Sequence, residues 1–306
     1  MIQWNGISIS CQKMTEAKQR LSSTDKYLNP PYKDLYIYYL KGHLASDNEI
    51  FSKNFIGNWE EDEFSFLFFS QPSKKKVENL LNVQSHLTLL DNYHMTYDDW
   101  HGETLAPFRA GRFFITHPWD KIRNNPDTGS DTGPDEFHIT LDPGVVFGTG
   151  THATTYNCLE ALELAFSSSR VQSAIDLGTG SGVLAIAAAR LGCKKILAVD
   201  RNLLAARTAE KNVQLNNVKE SVMVIQGSAE IFIDNPADLV IANIHFDVMK
   251  NLLNSKGFLA KKCFILSGLL RSQAEDAACT LKQKGAEIIK KWERDGIWHT
   301  FFGNIY

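Results

Sequence analysis

The segment Asp176-Leu-Gly178-Thr-Gly180-Ser-Gly182 carries the densest chemistry in the chain. An apolar run, VQSAID, leads into it and a helical pattern, SGVLAIAAARLG, leads out. Glycines at a strand-to-helix turn let the backbone fold tightly and approach a ligand closely. Asp200 stands 22 residues beyond Gly178, at the end of the next β-rich run. An acid there accepts both hydroxyls of an adenosine ribose. Two ligands compete for such a site. A dinucleotide needs GxGxxG and seats its pyrophosphate on the helix N-terminus. Here the spacing is GxGxG, and Asp176 precedes the first glycine by two residues. A carboxylate at that point repels a pyrophosphate and suits the cationic amino-acid end of S-adenosylmethionine. Asp176, Gly178, Gly180, Gly182 and Asp200 are therefore expected to bind S-adenosylmethionine, and a nucleotide-linked oxidoreductase is the rival from another class.

A second polar cluster lies upstream, in LDPGVVFGTGTHATTYNCLEALELAF at 141–166. Thr151 and Thr154 or Thr155 are placed to cap a helix whose Leu159, Leu162 and Phe166 face a core. A cap explains one threonine. It does not explain two glycines, four threonines and a histidine within 148–155, which suit a loop folded over a cofactor.

The elements that must position these groups alternate regularly from Val171 onward. Strand-like runs fall at 171–176, 194–200, 221–227, 237–243 and 261–268, with amphipathic stretches between several of them. Continuous apolar strands separated by helices predict a parallel sheet covered on both faces. AEIIKKW (286–292) and WHTFFGNIY (298–306), joined by ERDGI, predict an antiparallel hairpin at its edge. Upstream, DLYIYYL (34–40) and FSFLFF (64–69) read as strands, KKKVENLLNV (74–83) as a helix and HLTLL (86–90) as a further strand. That order suits a small α+β domain of split βαβ type. Residues 1–30 read as an extension, 97–108 as a linker helix and 124–136 as a loop rich in Gly, Pro and Asp. The expected division is a substrate-recognition domain at 1–95, a linker at 96–112 and a catalytic domain at 113–306.

Bulk properties exclude more than they assign. The chain has 306 residues, 43% hydrophobic and 22% charged, enough for a full core without staples. A net charge of −3 gives no basic face for nucleic acid, and Lys74-Lys75-Lys76 reads as a solvated helix start. The five cysteines, Cys11, Cys158, Cys193, Cys263 and Cys279, contain no CxxC pair, against zinc and against a disulfide framework. No metal is expected. MIQWNGISIS lacks a signal-peptide pattern, no apolar run approaches a bilayer span of ~20 residues, and a reduced cytoplasmic setting is the expectation.

DPGVVFGTGTHATT, DLGTGSGVLAIAAARLG, VIANI and LSGLLRSQ together resemble the ribosomal protein L-eleven methyltransferases, the PrmA family. The similarity covers about 110–306, including FFITHPW (113–119), which resembles the strand entering the catalytic domain. It implies a class I methyltransferase: a doubly wound α/β sheet of seven strands with a C-terminal antiparallel hairpin. It also implies a small ferredoxin-like N-terminal domain that recognises the ribosomal protein, with no direct contact to nucleic acid. Positions that contact S-adenosylmethionine in the family fall on Thr155, Gly178, Asp200 and Asn243. The implied reaction is N-methylation of a protein amine, a lysine side chain or an α-amine. Another acceptor, or a donor-binding protein without turnover, is the alternative within the fold.

Chain position decides against a misleading motif. NPPY at Asn29-Pro30-Pro31-Tyr32 is the tetrad of amide and nucleobase N-methyltransferases. It works only at a strand end beside the donor, and Asn29 precedes the glycine loop by almost 150 residues. With strands in unpermuted order it is an extended turn, where two prolines fix φ and remove two donors. The acceptor position is instead Ala242-Asn243-Ile244-His245-Phe246. Asn243 can offer its side-chain oxygen to a nitrogen nucleophile. The family continues ANI with small apolar residues, and His245 and Phe246 depart from that. His245 is a candidate general base or an ordinary loop residue.

Overall fold

The computed structural model describes residues 29–45, 50, 52–102, 105–120, 136–146, 150, 152–168 and 170–306. Most of the 1–30 extension, the 124–136 loop except Glu136, Thr149, Thr151 and Cys11 lie outside them.

Alternation of large apolar residues builds the N-terminal sheet: β1 (Asp34–Lys41), β2 (Phe55–Glu61), β3 (Phe64–Phe69) and, after helix α1 (Lys74–Val83), β4 (Thr88–Thr96). The strands lie in the order β2-β3-β1-β4, each pair antiparallel. β3, α1 and β4 straddle β1 as a split βαβ unit, and the strand order is that of a ferredoxin-like sheet. One face, with Tyr38, Leu40, Leu67 and Phe69, packs on Val77 and Leu80 of α1. The other, with Leu35, Ile37 and Phe68, packs on Val145, Val146, Leu204 and Ala205 from the C-terminal part. The sequence reading missed β2 and placed β4 two residues early and six short. FIGNWEE holds a glycine and two acids, and β4 is an exposed edge whose polar residues mask its period. Gly57 has a packing reason: a Cβ there would lie 2.6 Å from Leu204 Cδ1.

The helix expected over 97–108 is a short one, α2 (Tyr97–His101). Thr96 and Asp99 form a reciprocal capping box at its start, and Gly102 closes it at φ 77°. The chain then enters a three-stranded sheet, β5 (Phe108–Ala110), β6 (Phe113–Thr116) and β7 (Phe137–Thr140), β5–β6 antiparallel and β6–β7 parallel. β6 is the FFIT of the FFITHPW run, and β7 delivers the chain to Asp142.

Helix α3 (Ala153–Ser168) follows, then β8 (Ser173–Leu177), α4 (Val183–Arg190), β9 (Lys195–Asp200), α5 (Leu203–Leu215), β10 (Val222–Gln226), α6 (Ala229–Phe232) and β11 (Leu239–Asn243). The chain ends with α7 (Phe246–Leu253), α8 (Lys256–Leu259), β12 (Cys263–Leu269), α9 (Arg271–Gln283), β13 (Ala286–Arg294) and β14 (Trp298–Ile305). The sheet order is β10-β9-β8-β11-β12-β14-β13, parallel except for β14, which is antiparallel to both neighbours. Asp295 and Gly296, at φ 57° and 67°, turn the closing hairpin. Adjacent residues of each inner strand feed opposite cores. Ala174, Ile196, Ala198 and Ile241 face α3 and α4, while Ile175, Leu197, Val199 and Val240 face α7 and α9. This is why the runs are continuously apolar. As expected, Leu159 and Leu162 are fully buried and Phe166 packs beside them. The order reverses at β8, with β9 on one side and β11 on the other. A crevice outside the carboxyl ends of the strands at such a reversal is where open α/β sheets bind ligands.

Candidate active site

At the carboxyl end of β8, Asp176 is buried and accepts a 2.6 Å hydrogen bond from the Thr179 hydroxyl on Oδ2. Its Oδ1 has no hydrogen-bond partner. Burial raises the carboxyl pKa to about 7; Asp200 adds to the rise, while Thr179 and the Ala185 amide, the latter outside hydrogen-bond geometry, oppose it. A buried carboxylate with an unsatisfied oxygen is costly unless a cation or donor meets it.

Gly178, Gly180 and Gly182 all adopt positive φ. Gly178 and Thr179 donate their amides to the Val199 carbonyl at 2.8 and 3.0 Å, clamping the loop onto the end of β9. At Gly178 a Cβ would lie 2.3 Å from Ile244 Cγ2, so its absence lets the β11 end close against the glycine loop. Gly182 is the N-cap of α4. Asp200 accepts the Gly180 amide on Oδ2 and the Asn202 amide on Oδ1, both at 2.9 Å. Each oxygen keeps a lone pair for a diol, and burial lifts the Asp200 pKa above the usual carboxylate range. The glycine loop therefore joins Asp176 and Asp200 into one crevice wall.

A buried amide behind the loop holds it to the upstream segment. Asn212 of α5 accepts the Asp142 amide at 2.8 Å and donates to the Asp142 and Ser181 carbonyls, each at 2.8 Å. Lys211 pairs with the Asp142 carboxylate, and Gly144 donates to it at 3.0 Å. The DPG turn is thus tied to the glycine loop through α5. Nothing in the spacing of Asn212 announces this role.

Upstream, His152 precedes the first turn of α3, and Thr154 and Thr155 lie buried within that turn. The cap comes from His152, whose Nδ1 accepts the Thr154 amide at 3.3 Å. The threonine cap expected from sequence is replaced, at least for Thr154 and Thr155, by a different use of their hydroxyls. Asn243, half-buried at the end of β11, donates from Nδ2 to Thr154 Oγ1 at 3.2 Å. Trp298 sets its ring edge-to-face with His152 at 5.2 Å. Ser267, opposite Asn243 in register, pairs with Thr300 at 2.6 Å. Cys158 lies beneath; burial pushes its thiol up to about 12, so it is no nucleophile at neutral pH.

His245 is the exposed N-cap of α7 and makes no side-chain cap bond. Asn29 is exposed in an irregular segment, while Tyr32 packs edgewise on Tyr97 at 6.1 Å, as a turn anchor. His152 and Thr154 belong to the polar 148–155 segment expected to fold over a cofactor, though their link to Asn243 was not foreseen; the hydrogen-bonding roles of Thr179 and Asn212 were not assigned from sequence. Among the described residues no cluster of His, Cys, Asp or Glu is placed to hold a metal, and no helix is long and apolar enough to cross a membrane.

The strand order, reversed hairpin and glycine-loop crevice define a class I methyltransferase fold. The chain belongs to the ribosomal protein L11 methyltransferase (PrmA) family, whose model matches residues 40–304. The L11 methyltransferase of Staphylococcus saprophyticus is 34% identical over 75% of this chain and 73% of its own length. That of Pelotomaculum thermopropionicum is 35% identical over 73% of each. The Desulfitobacterium hafniense protein is 38% identical, over 65% of this chain and 62% of its length. The crystal structure of a ribosomal protein L11 methylase from Lactobacillus delbrueckii subsp. bulgaricus superposes with a TM-score of 0.55 at 26% identity. It covers 66% of this chain and 99% of the other.

Proposed function

We propose that the protein transfers methyl groups from S-adenosylmethionine to amines of ribosomal protein L11, on lysine side chains or the α-amine. The observation that carries this reading is the buried, half-satisfied Asp176 sharing a glycine-loop crevice with Asp200. That pair fits a ligand with an ammonium at one end and a ribose at the other. Asp176 would meet the donor's amino-acid end, Asp200 its ribose hydroxyls, and Thr155, Gly178, Gly180, Gly182 and Asn243 would complete the contacts. When bound, S-adenosylmethionine supplies a methyl carbon already activated by a cationic sulphur.

The chain's own groups then align and dehydrate the nucleophile. A lysine amine with pKa ≈ 10.4 costs about 4.6 kcal/mol to present neutral at pH 7. A pocket that excludes water lowers that cost by disfavouring the ammonium. Asn243 Oδ1 accepts an N–H of the amine and turns the lone pair toward the methyl carbon. Alignment of this kind is worth up to ~7–11 kcal/mol. Neither proton transfer nor a metal is required of the protein, and solvent takes the departing proton, so His245 is assigned no catalytic step. In this reading 1–95 recognises the ribosomal protein, 96–112 links and 113–306 carries out transfer, in the cytoplasm and without direct nucleic-acid binding.

Purified protein incubated with methyl-labelled donor and the L11 protein of its own host tests the proposal. Label on L11 amines, lost in Asp200→Ala, is expected. Label on another protein with L11 untouched would overturn the substrate assignment.

A further inference from the structure

We infer that His152 and Thr154 are positioning residues that fix which way the Asn243 amide faces. The inference rests on the acceptor role given to Asn243 above. It follows from counting protons along three side chains. His152 Nδ1 accepts the Thr154 backbone amide at 3.3 Å, so that nitrogen carries a lone pair and the ring proton sits on Nε2. The Thr154 hydroxyl lies 2.8 Å from the same Nδ1, and with no proton on the nitrogen the hydroxyl supplies it, sharing the single ring lone pair with the longer amide contact. Only lone pairs of Oγ1 then remain for Asn243, 3.2 Å away. The amide must present Nδ2 to Thr154. A flipped amide would set two oxygens together with no proton between them, a loss of the size of an unmade buried hydrogen bond.

The consequence is an oxygen aimed at the acceptor side. Asn243 Oδ1 faces the bare Cα of Gly268, where a Cβ would come within 3.2 Å of it. Gly268, at φ 82°, sits in the irregular stretch between the paired residues Leu266 and Leu269. A side chain there would crowd the oxygen an amine must reach. His152 is exposed, and Thr154 is buried with its backbone carbonyl 3.5 Å from Ser267 Oγ, so the polar chain runs from the surface into the sheet end. The histidine cap of α3 thus sets the hydroxyl, the hydroxyl sets the amide, and the amide sets the nucleophile.

Methyl-transfer kinetics on the L11 protein separate this from a general structural role. Thr154→Val keeps shape and removes the hydroxyl; His152→Ala removes the acceptor from an exposed site. Both should lower kcat by about tenfold or more, the scale of a misaligned reacting group, with KM for L11 little changed. Thr154→Ser restores the hydroxyl, and His152→Asn places an acceptor oxygen where Nδ1 stood, so both should recover activity. In an Asn243→Ala background, Thr154→Val should add no further loss, because it acts through the amide. Wild-type kcat in folded Thr154→Val beside an impaired Asn243→Ala, or multiplying losses in the double variant, would overturn the inference. Full activity in Asn243→Ala would instead bring down the acceptor-site reading on which it stands.

Discussion

The burial of Asp176 costs stability, and the proposed function gives that cost a use in donor binding. Its carboxyl titrates near 7 in the folded chain because burial disfavours the charge, against ~3.9 in an unfolded one. An acid with a raised folded pKa weakens the fold as pH climbs between those values, by on the order of a few kcal/mol here. Asp176→Asn should therefore unfold at higher denaturant than wild type at pH 7, with the advantage shrinking toward pH 4. The same variant should bind S-adenosylmethionine more weakly, which paired denaturation and titration experiments check. A donor ammonium favours the charged carboxyl, so wild-type affinity should rise between about pH 6 and 8, with proton release detectable calorimetrically in buffers of different ionisation enthalpy. Asp200→Ala removes a charged acceptor and should cost about 10- to 100-fold in donor affinity. These two acids were legible in the sequence because their spacing to the glycines reflects a strand-loop-strand geometry. The partners of Thr154 and Asn212 were not, since each acts on a group distant in sequence, Asn243 and the Asp142–Ser181 pair.

Among the elements, the inner parallel strands were read within about two residues because burial on both faces makes them apolar throughout. β2 was missed and β4 found only in part for the opposite reason. Each carries polar residues on an exposed face, and Gly57 is kept for its approach to Leu204 rather than for strand propensity. The helix expected over 97–108 is shorter because the capping box and Gly102 close YDDWH within a few residues. Helix α5 serves as more than a sheet cover. Asn212→Leu would strand the Asp142 amide and two carbonyls in a dry site, and a loss of about 2–4 kcal/mol is expected. Urea unfolding measures it, and no change would mean that the DPG turn is held by Lys211 and Gly144 alone.

The whole molecule couples a ferredoxin-like sheet to a methyltransferase sheet through an apolar cluster. Leu35, Ile37 and Phe68 meet Val145, Val146 and Leu204, and Val145 and Val146 directly follow the DPG turn. The N-terminal sheet and the DPG turn are thus neighbours in structure. Composition carried none of this arrangement, which depends on packing between residues more than 100 positions apart. The crevice between Asp176 and Asp200 is the proposed seat of S-adenosylmethionine. Isothermal titration of the full chain with S-adenosylmethionine, and separately with NAD, tests it most directly. Saturable one-site binding of S-adenosylmethionine, weakened in Asp176→Asn and Asp200→Ala, with no heat from NAD, is the expected result. Binding of NAD with S-adenosylmethionine inert would contradict it.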